Sequence, residues 1–265
     1  MTMKPFLLTF DVEEFDYLHH YHEKPLNADL YGVSQEGTKR ILDLLSKHDI
    51  RATFFVTAKF ALQYPSFIKA ISKKHEIGLH GYSHDHHYES MDEKLVLKYL
   101  QEGKKILEKI TQKKITGFRA PRMGMTNYFI LKKVGLHYDS SLHPTYIPGY
   151  YNHFTEPRNC FTSEGIQVVP VSVTPLVRLP LAWLWFRNLP LLYSKLCIRW
   201  SFYGTGFINT YFHPWEFVSL QKYRLPWYFK RNTGDKVLKK LDKLIHWGKK
   251  KGYAFMSMGD FLQRR

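Results

Sequence analysis

The sequence predicts an α/β protein with a mainly parallel sheet, formed by one domain that spans residues 1–265. Short apolar runs typical of buried strands alternate with longer segments in which apolar residues recur at helical spacing. No linker, low-complexity tract or internal repeat interrupts this alternation. A βαβα order places parallel strands side by side with helices outside them. About seven or eight strands are expected, a number that suits a barrel as readily as an open sheet.

The predicted elements follow one another closely along the chain. Strands are expected at Phe6–Phe10, Ala52–Val56, Glu76–His80, Ile115–Arg119, Leu136–Ser140, Ile166–Val171, Phe207–Phe212 and Tyr253–Met256. Helices are expected after Ser34, after Pro65, after Ser90 with Glu93 at capping-box spacing, from Thr126 to Val134 with Gly135 as the stop, and from about Thr233 to Lys251.

Charge and composition exclude several classes of protein. The chain has 39 Lys and Arg against 23 Asp and Glu, a net charge of +16 that suits anionic partners such as nucleic acid, acidic lipid or a phosphorylated substrate. Two cysteines, Cys160 and Cys197, are too few for a disulfide framework or a thiolate zinc site. No apolar run predicts a spanning helix, and the first residues lack a signal-peptide core. We therefore expect a cytoplasmic protein.

Titratable residues follow the predicted strands at their carboxyl ends, which is where parallel barrels place their chemistry. These residues are Asp11, Glu13, His80, His84, Arg119, Asp139 and His213. Asp11 and Glu13 are two positions apart on an extended segment, so their side chains point to the same side. Two histidines and one carboxylate are a common ligand set for zinc or iron. The pattern therefore predicts a metal-assisted active site at this edge of the sheet.

Five motifs, in this order, resemble those of the polysaccharide deacetylase family, also called the NodB-homology or carbohydrate esterase family 4: TFDVEE, HGYSH, FRAPRMG, YDSS and FHPWE. The resemblance extends from Thr9 to about Met258. It implies a single-domain distorted (β/α)7 barrel and a hydrolase of amide bonds. It also implies a divalent metal, usually Zn²⁺, although Co²⁺, Ni²⁺ or Fe²⁺ suits the same ligands.

One departure from the common family pattern concerns the carboxylate ligand. That pattern has two consecutive aspartates, whereas Val12 takes the second place here, so the sequence resembles the branch with Asp-x-Glu. The resemblance then implies that Glu13, His80 and His84 hold the metal. Glu14 is the alternative carboxylate ligand.

The same resemblance implies the catalytic roles. Asp11 would be the general base, and Arg119 would pair with it and fix its orientation. His213 would protonate the departing amine, and Asp139 would hold His213.

A hydrophobic, cationic insertion at about 175–203 is the other distinctive feature. Its core, LVRLPLAWLWFRNLPLLYSKLCIRWSF, combines tryptophan, leucine and arginine in the way of segments that lie in a membrane interface. The alternative is that the insertion packs on its own barrel or in a dimer interface. The C-terminal region 222–251 adds eleven Lys or Arg, and cations of this kind favour an anionic membrane surface.

Together these features predict a metal-dependent N-deacylase that removes acetyl or formyl from an amino sugar. We expect the sugar to be linked to a polyprenyl-phosphate carrier in bacterial envelope glycan synthesis, with the enzyme peripheral on the inner face of the cytoplasmic membrane. One alternative is a soluble deacetylase or deformylase of another sugar or of a cyclic amide. Another is a non-catalytic, membrane-bound carbohydrate-binding protein. Binding of nucleic acid is disfavoured, because no recognised nucleic-acid motif accompanies the charge.

Overall fold

The computed structural model describes residues 3–16, 29–124, 126–149 and 151–265. The strands are β1 (Lys4–Val12), β2 (Thr53–Val56), β3 (Glu76–Leu79), β4 (Gly117–Phe118), β5 (Tyr138–Asp139), β6 (Tyr146–Ile147), β7 (Tyr151–Asn152), β8 (Phe161–Ser163), β9 (Ile166–Val168), β10 (Ile208–Phe212) and β11 (Tyr253–Met256). The α-helices are α1 (Leu30–Lys47), α2 (Ala58–Gln63), α3 (Pro65–Ser72), α4 (Glu93–Thr111), α5 (Tyr128–Val134), α6 (Trp183–Asn188), α7 (Leu191–Thr205), α8 (Trp227–Lys230), α9 (Asp235–Lys250) and α10 (Met258–Gln263).

The main sheet is parallel except at one edge. Its strand order is β10-β1-β2-β3-β4-β5-β9-β8, with β11 paired to the first half of β1. Among the described strands of this sheet, β8 alone runs antiparallel to its neighbour, and β6 and β7 form a separate hairpin. The longest strand, β1, is central and is buried from Pro5 onward.

The sheet curls until its two ends meet. Asn209 on β10 accepts a hydrogen bond from the backbone N–H of Ser172, which follows β9, at 2.8 Å. The Asn209 side chain also donates to the Ser140 hydroxyl at 3.0 Å. This contact brings the strand ends into one ring, which confirms the predicted α/β fold with a curled, mainly parallel sheet.

The main hydrophobic core lies between the sheet and the helices. Alternate residues of β1, namely Phe6, Leu8, Phe10 and Val12, all pack in this layer together with residues of α1 and α4. The residues of β1 that alternate with these four therefore face the interior of the curled sheet. Leu7 accordingly belongs to a separate cluster with Phe55 and Met256.

Two helices begin at different residues from those predicted. Asp29 caps α1 by accepting from the backbone N–H of Gly32 at 2.7 Å, and Ser34 is buried inside that helix. Asp92 caps α4 by accepting from Lys94 and Leu95, whereas Ser90 ends a preceding 3₁₀ turn. Asp and Ser are similarly good N-caps, so the sequence offers competing starts that only the packing decides.

The apolar segment at about 175–203 forms α6 and α7 between β9 and β10. Phe186 and Ile198 from these helices are buried in the main core. None of the helices in the described ranges combines the length and the apolar composition that spanning a membrane requires.

Candidate active site

The first strand places two carboxylates at the rim of the curled sheet. Thr9 and Asp11 are among the alternate residues of β1 that face inward, and Glu13 follows directly after the strand ends at Val12. All three side chains are buried. A buried carboxylate requires a positive or hydrogen-bonding partner, and the partners of Asp11 and Glu13 define the site.

Arg119 is the partner of Asp11. Its guanidinium donates to the Asp11 carboxylate at 2.8 Å and to the Thr9 hydroxyl at 2.7 Å. On its other side it donates to the carbonyl and the hydroxyl of Ser140, at 3.0 and 2.9 Å. Arg119 is completely buried, so these four bonds fix both the arginine and Asp11.

His80 and His84 converge on Glu13. The Nε2 atom of His80 lies 3.0 Å from Glu13 Oε2, and that of His84 lies 3.3 Å from the same oxygen. Glu14 points elsewhere, because it accepts from the hydroxyls of Thr57 and Ser83. The structure thus places Glu13, and not Glu14, against both imidazoles.

The other ring nitrogen of each histidine is also engaged. His80 Nδ1 lies 2.8 Å from the backbone carbonyl of Arg119, which can only accept a hydrogen bond, so this nitrogen carries a proton. His84 Nδ1 lies 2.8 Å from the Asp16 carboxylate. These contacts orient both rings with Nε2 toward Glu13, as outer partners do for histidines that bind metals.

Glu13 and the histidines around it shift one another's pKa values, and the shifts favour the charged forms of Glu13 and His84. Burial alone raises the pKa of Glu13, but His84, His213 and His80 outweigh it and lower the pKa to about 2. Burial lowers the pKa of His84, but Glu13 and Asp16 outweigh it and raise the pKa to about 9. The negative charge of Glu13 can be balanced either by protonated imidazoles or by a bound cation.

The donor set suits a divalent metal. Within the described part of the chain, no group of three His, Cys, Asp or Glu side chains is spaced to hold a metal ion as it stands. Glu13 instead contacts both His80 and His84 directly. Ligands about 2.1 Å from a tetrahedral zinc ion lie roughly 3.4 Å apart, and the observed separations of 3.0 and 3.3 Å are close to that spacing. One carboxylate and two imidazoles whose other ring nitrogens are already engaged are the donor types that bind such a metal.

His213 stands beside this cluster, at the end of β10. Its Nε2 lies 3.9 Å from Glu13 Oε1, and its ring stacks on Trp215 with 4.9 Å between the ring centroids. The Trp215 indole N–H donates to Glu13 at 3.3 Å. Burial lowers the pKa of His213, but Glu13 and Glu216 outweigh it and raise the pKa above its ordinary value.

The expected pairing of Asp139 with His213 is a point that the structure corrects. The Asp139 carboxylate accepts from the hydroxyl and the backbone N–H of Ser141, at 2.5 and 3.2 Å, and burial raises its pKa to about 6. The carboxylate against His213 is that of Glu216, which lies 3.2 Å from Nδ1. Glu216 is three residues beyond His213 in a 3₁₀ turn, so it reaches the ring locally.

Three residues of the site lie outside the sequence-based prediction: Asp16, Glu216 and Arg187. Asp16 and Glu216 are each within three residues of a predicted site residue, and their proximity in the sequence was a usable signal. Arg187 comes from the apolar insertion, yet it is fully buried and pairs with Glu216 at 2.7 Å. No local pattern marks it.

Comparison with known proteins identifies the family of the chain and several relatives. The family model described as "Polysaccharide deacetylase" matches residues 2–138. The peptidoglycan-N-acetylmuramic acid deacetylase PdaA of Bacillus subtilis is 31% identical over 127 residues, which cover 46% of this chain and 48% of PdaA. A peptidoglycan deacetylase of Helicobacter pylori is 32% identical over 122 residues, covering 44% of this chain and 41% of that protein.

The matched segments thus span about half or less of these curated relatives. Among solved structures, that of Puue allantoinase superposes with a TM-score of 0.68 at 19% identity, covering 97% of this chain and 88% of the allantoinase chain. At this identity the superposition shows the fold, and it places the curled sheet among (β/α)7 barrels.

Proposed function

The chain belongs to the polysaccharide deacetylase family, whose members hydrolyse amide bonds, and from this premise we propose that it is a divalent-metal-dependent N-deacylase of an amino sugar. The observation that carries the proposal is the convergence of His80, His84 and His213 on Glu13, with Asp11 clamped nearby by Arg119. This set supplies metal ligands, a base and an acid within one buried cluster.

Glu13 Oε2 and the Nε2 atoms of His80 and His84 would hold the metal. A divalent cation bound there supplies Lewis-acid polarisation of the substrate carbonyl and acidifies water. Zn²⁺ is the first expectation for this ligand set, and Co²⁺, Ni²⁺ and Fe²⁺ are the alternatives.

The chain's own residues then move the protons. Asp11 accepts a proton from the attacking water while Arg119 keeps the carboxylate in place. His213 donates a proton to the amide nitrogen as the carbon–nitrogen bond breaks, so that the amine leaves neutral and the acyl group leaves as a carboxylic acid. Each such acid or base group is typically worth about 10²–10⁴-fold in rate.

The surface beside the site favours a substrate carried by a lipid. Helix α7 exposes four large apolar side chains at helical spacing: Leu192, Leu196, Trp200 and Tyr203. Its buried face carries Ser194, Cys197, Ile198 and Ser201. A row of exposed apolar side chains is costly in water, and it suits a helix lying on a bilayer.

Other parts of the insertion and the region after it add exposed apolar side chains and charge. Leu176 is 80% exposed in the loop before α6, and Trp227 is 68% exposed on α8. Eleven Lys or Arg lie in region 222–251, and the whole chain carries +16. Such cations favour anionic lipids by about 1 kcal/mol each near the surface. Trp183, in the same insertion, packs edge-on against His213 at 5.5 Å, so the insertion adjoins the site.

These observations support a finer proposal. The amino sugar is linked to a polyprenyl-phosphate carrier of envelope glycan synthesis, and the enzyme acts while peripheral on the inner face of the cytoplasmic membrane. We define the outward side chains of Leu192, Leu196, Trp200 and Tyr203 as the apolar face of α7.

Vesicle sedimentation tests the membrane part of this proposal. Wild-type protein should bind vesicles of phosphatidylcholine with phosphatidylglycerol, and the triple variant Leu192→Ser, Leu196→Ser, Tyr203→Ser should lose most of that binding. The matched control replaces three similarly exposed apolar residues elsewhere, Leu62→Ser, Phe129→Ser and Tyr146→Ser, and should bind as the wild type does.

Equal binding by both triple variants would refute the apolar face as the contact. Failure of the wild type itself to bind the vesicles would favour a water-soluble sugar or cyclic amide as the substrate.

Mass spectrometry of products tests the chemistry. Zinc-loaded protein is incubated with polyprenyl-phosphate-linked N-acetyl and N-formyl amino sugars in mixed micelles, and with the same sugars without the lipid. We expect loss of one acyl group from a lipid-linked sugar and no loss with Asp11→Asn. If no acylated sugar is converted, the non-catalytic carbohydrate-binding interpretation replaces the enzyme.

A further inference from the structure

The acid of the proposed mechanism is held by a chain of buried charges that leads away from the metal ligands. Glu216 Oε1 accepts from the backbone N–H of His213 at 2.9 Å and lies 3.2 Å from Nδ1 of its ring. Glu216 Oε2 accepts from the Arg187 guanidinium at 2.7 Å. The Glu216 and Arg187 side chains are both fully buried.

Arg187 is held by the insertion and by α8. Its backbone belongs to α6, and its guanidinium also donates to the carbonyls of Tyr228 and Phe229, at 3.3 and 2.9 Å. A carboxylate buried as deeply as that of Glu216 is stable only with such a partner. Without Arg187, the Glu216 carboxylate would be buried without the guanidinium charge beside it and without the guanidinium hydrogen bond that helps to hold it against the ring.

Two tryptophans fix the plane of the same ring. Trp215 stacks on His213 with 18° between the ring planes, and Trp183 of α6 meets it edge-on at 71°. The insertion therefore touches His213 twice: directly through Trp183, and through Glu216 by way of Arg187.

We propose that Arg187 and Glu216 are positioning residues that hold Nδ1–H of the His213 ring on Glu216 and direct Nε2, the atom that gives its proton to the amine, toward Glu13 and the substrate. The proposal deepens the proposed function, because it assigns the part of the structure that prepares the acid. It also gives the apolar insertion a second role beside its outward surface. Removal of Arg187 should leave the His213 ring less well oriented, and it changes none of the proposed metal ligands.

Nitrogen-15 NMR of histidine-labelled, zinc-loaded protein tests the proposal without any substrate. The His213 signals are assigned by their loss in His213→Gln. At an alkaline pH at which the ring is neutral, the wild type should show the tautomer protonated on Nδ1, and in Arg187→Gln that tautomer should lose its dominance. The matched control is Arg158→Gln, since Arg158 also contacts backbone carbonyls in this region but does not reach Glu216.

A double variant guards against a folding defect. Arg187→Met with Glu216→Gln removes both charges together, so no unpaired charge stays buried and the fold should persist. Zinc content should be unchanged in every variant.

Where a substrate is turned over, kcat should fall at least about tenfold in Arg187→Gln and in the double variant, with KM nearly constant. Failure of the proposed function would remove the turnover readout but leave the NMR result intact. The positioning role would be overturned if His213 in Arg187→Gln showed the same tautomer as in the wild type. It would also be overturned if kcat of the double variant were unchanged.

Discussion

Replacement of Arg119 by methionine should strongly destabilise the protein. The change removes four hydrogen bonds to Thr9, Asp11 and Ser140, and it leaves the Asp11 carboxylate buried without its cation. Breaking a buried ion pair by removing one partner costs about 3–5 kcal/mol. For a chain of this length, that corresponds to a fall in Tm of roughly 6–20 °C. Methionine keeps the apolar contact with Phe55, over whose ring the guanidinium lies at 4.4 Å, so packing loss is minor.

Urea unfolding followed by circular dichroism measures this effect. The matched control is Arg51→Met, because Arg51 pairs with Asp260 at the surface and exposed pairs contribute about 0–1 kcal/mol. The double variant Asp11→Asn, Arg119→Met should recover part of the loss, since it removes the stranded charge. A loss below about 1 kcal/mol in Arg119→Met would refute the view that Arg119 neutralises Asp11 in a closed interior.

Two further predictions follow from buried histidines. Asp16→Asn weakens the partner of His84 Nδ1, so zinc affinity measured by competition with a chelator should fall about 10–100-fold, and an unchanged affinity would contradict that role. Burial, together with the nearby charges of Lys74 and Arg51, lowers the pKa of His75 to about 4. Between pH 4 and 6.5 the unfolded state therefore binds the proton more readily than the folded state does. The free energy of unfolding falls as the pH falls through this range. His75→Phe should reduce the loss of unfolding free energy between pH 7 and pH 5 by about 1–2 kcal/mol, and equal losses in both proteins would contradict the assignment.

Much of the fold follows from local patterns. The runs of β1, β2, β3 and β10 are buried strands, as short runs rich in apolar residues predict for a parallel sheet that is covered on both faces. The helix starts were harder to predict. The helices are capped by Asp29 and Asp92, and not by Ser34 and Ser90, because of where each helix packs, which the local sequence does not encode.

The site was predictable where it depends on strand parity. The two-residue repeat of an extended chain puts Asp11 and Glu13 on one side, and the structure shows both beside the residues that follow β3 and β4. The partner of His213 was not predictable in this way. Asp139 ends a strand, but Ser141 occupies its carboxylate, while Glu216 reaches His213 through a tight turn.

Arg187 shows why part of the site lies beyond sequence reasoning. An arginine within an apolar, tryptophan-rich segment is typical of a membrane interface, and nothing local distinguishes it from Arg178 or Arg199. Its role depends on Glu216, which is 29 residues away in the chain. Only the packing of α6 against the turn after β10 brings the two together.

Metal content tests the central claim most directly. Wild type, Glu13→Gln and Glu14→Gln are purified without added metal, and each is analysed for zinc, cobalt, nickel and iron. The control is matched, because the two glutamates are adjacent and buried, but Glu13 contacts both imidazoles whereas Glu14 accepts from the hydroxyls of Thr57 and Ser83. We predict about one metal per chain in the wild type and in Glu14→Gln, and none in Glu13→Gln. A wild type that holds no metal even after zinc is added back, or a Glu13→Gln protein that keeps it, would contradict the account.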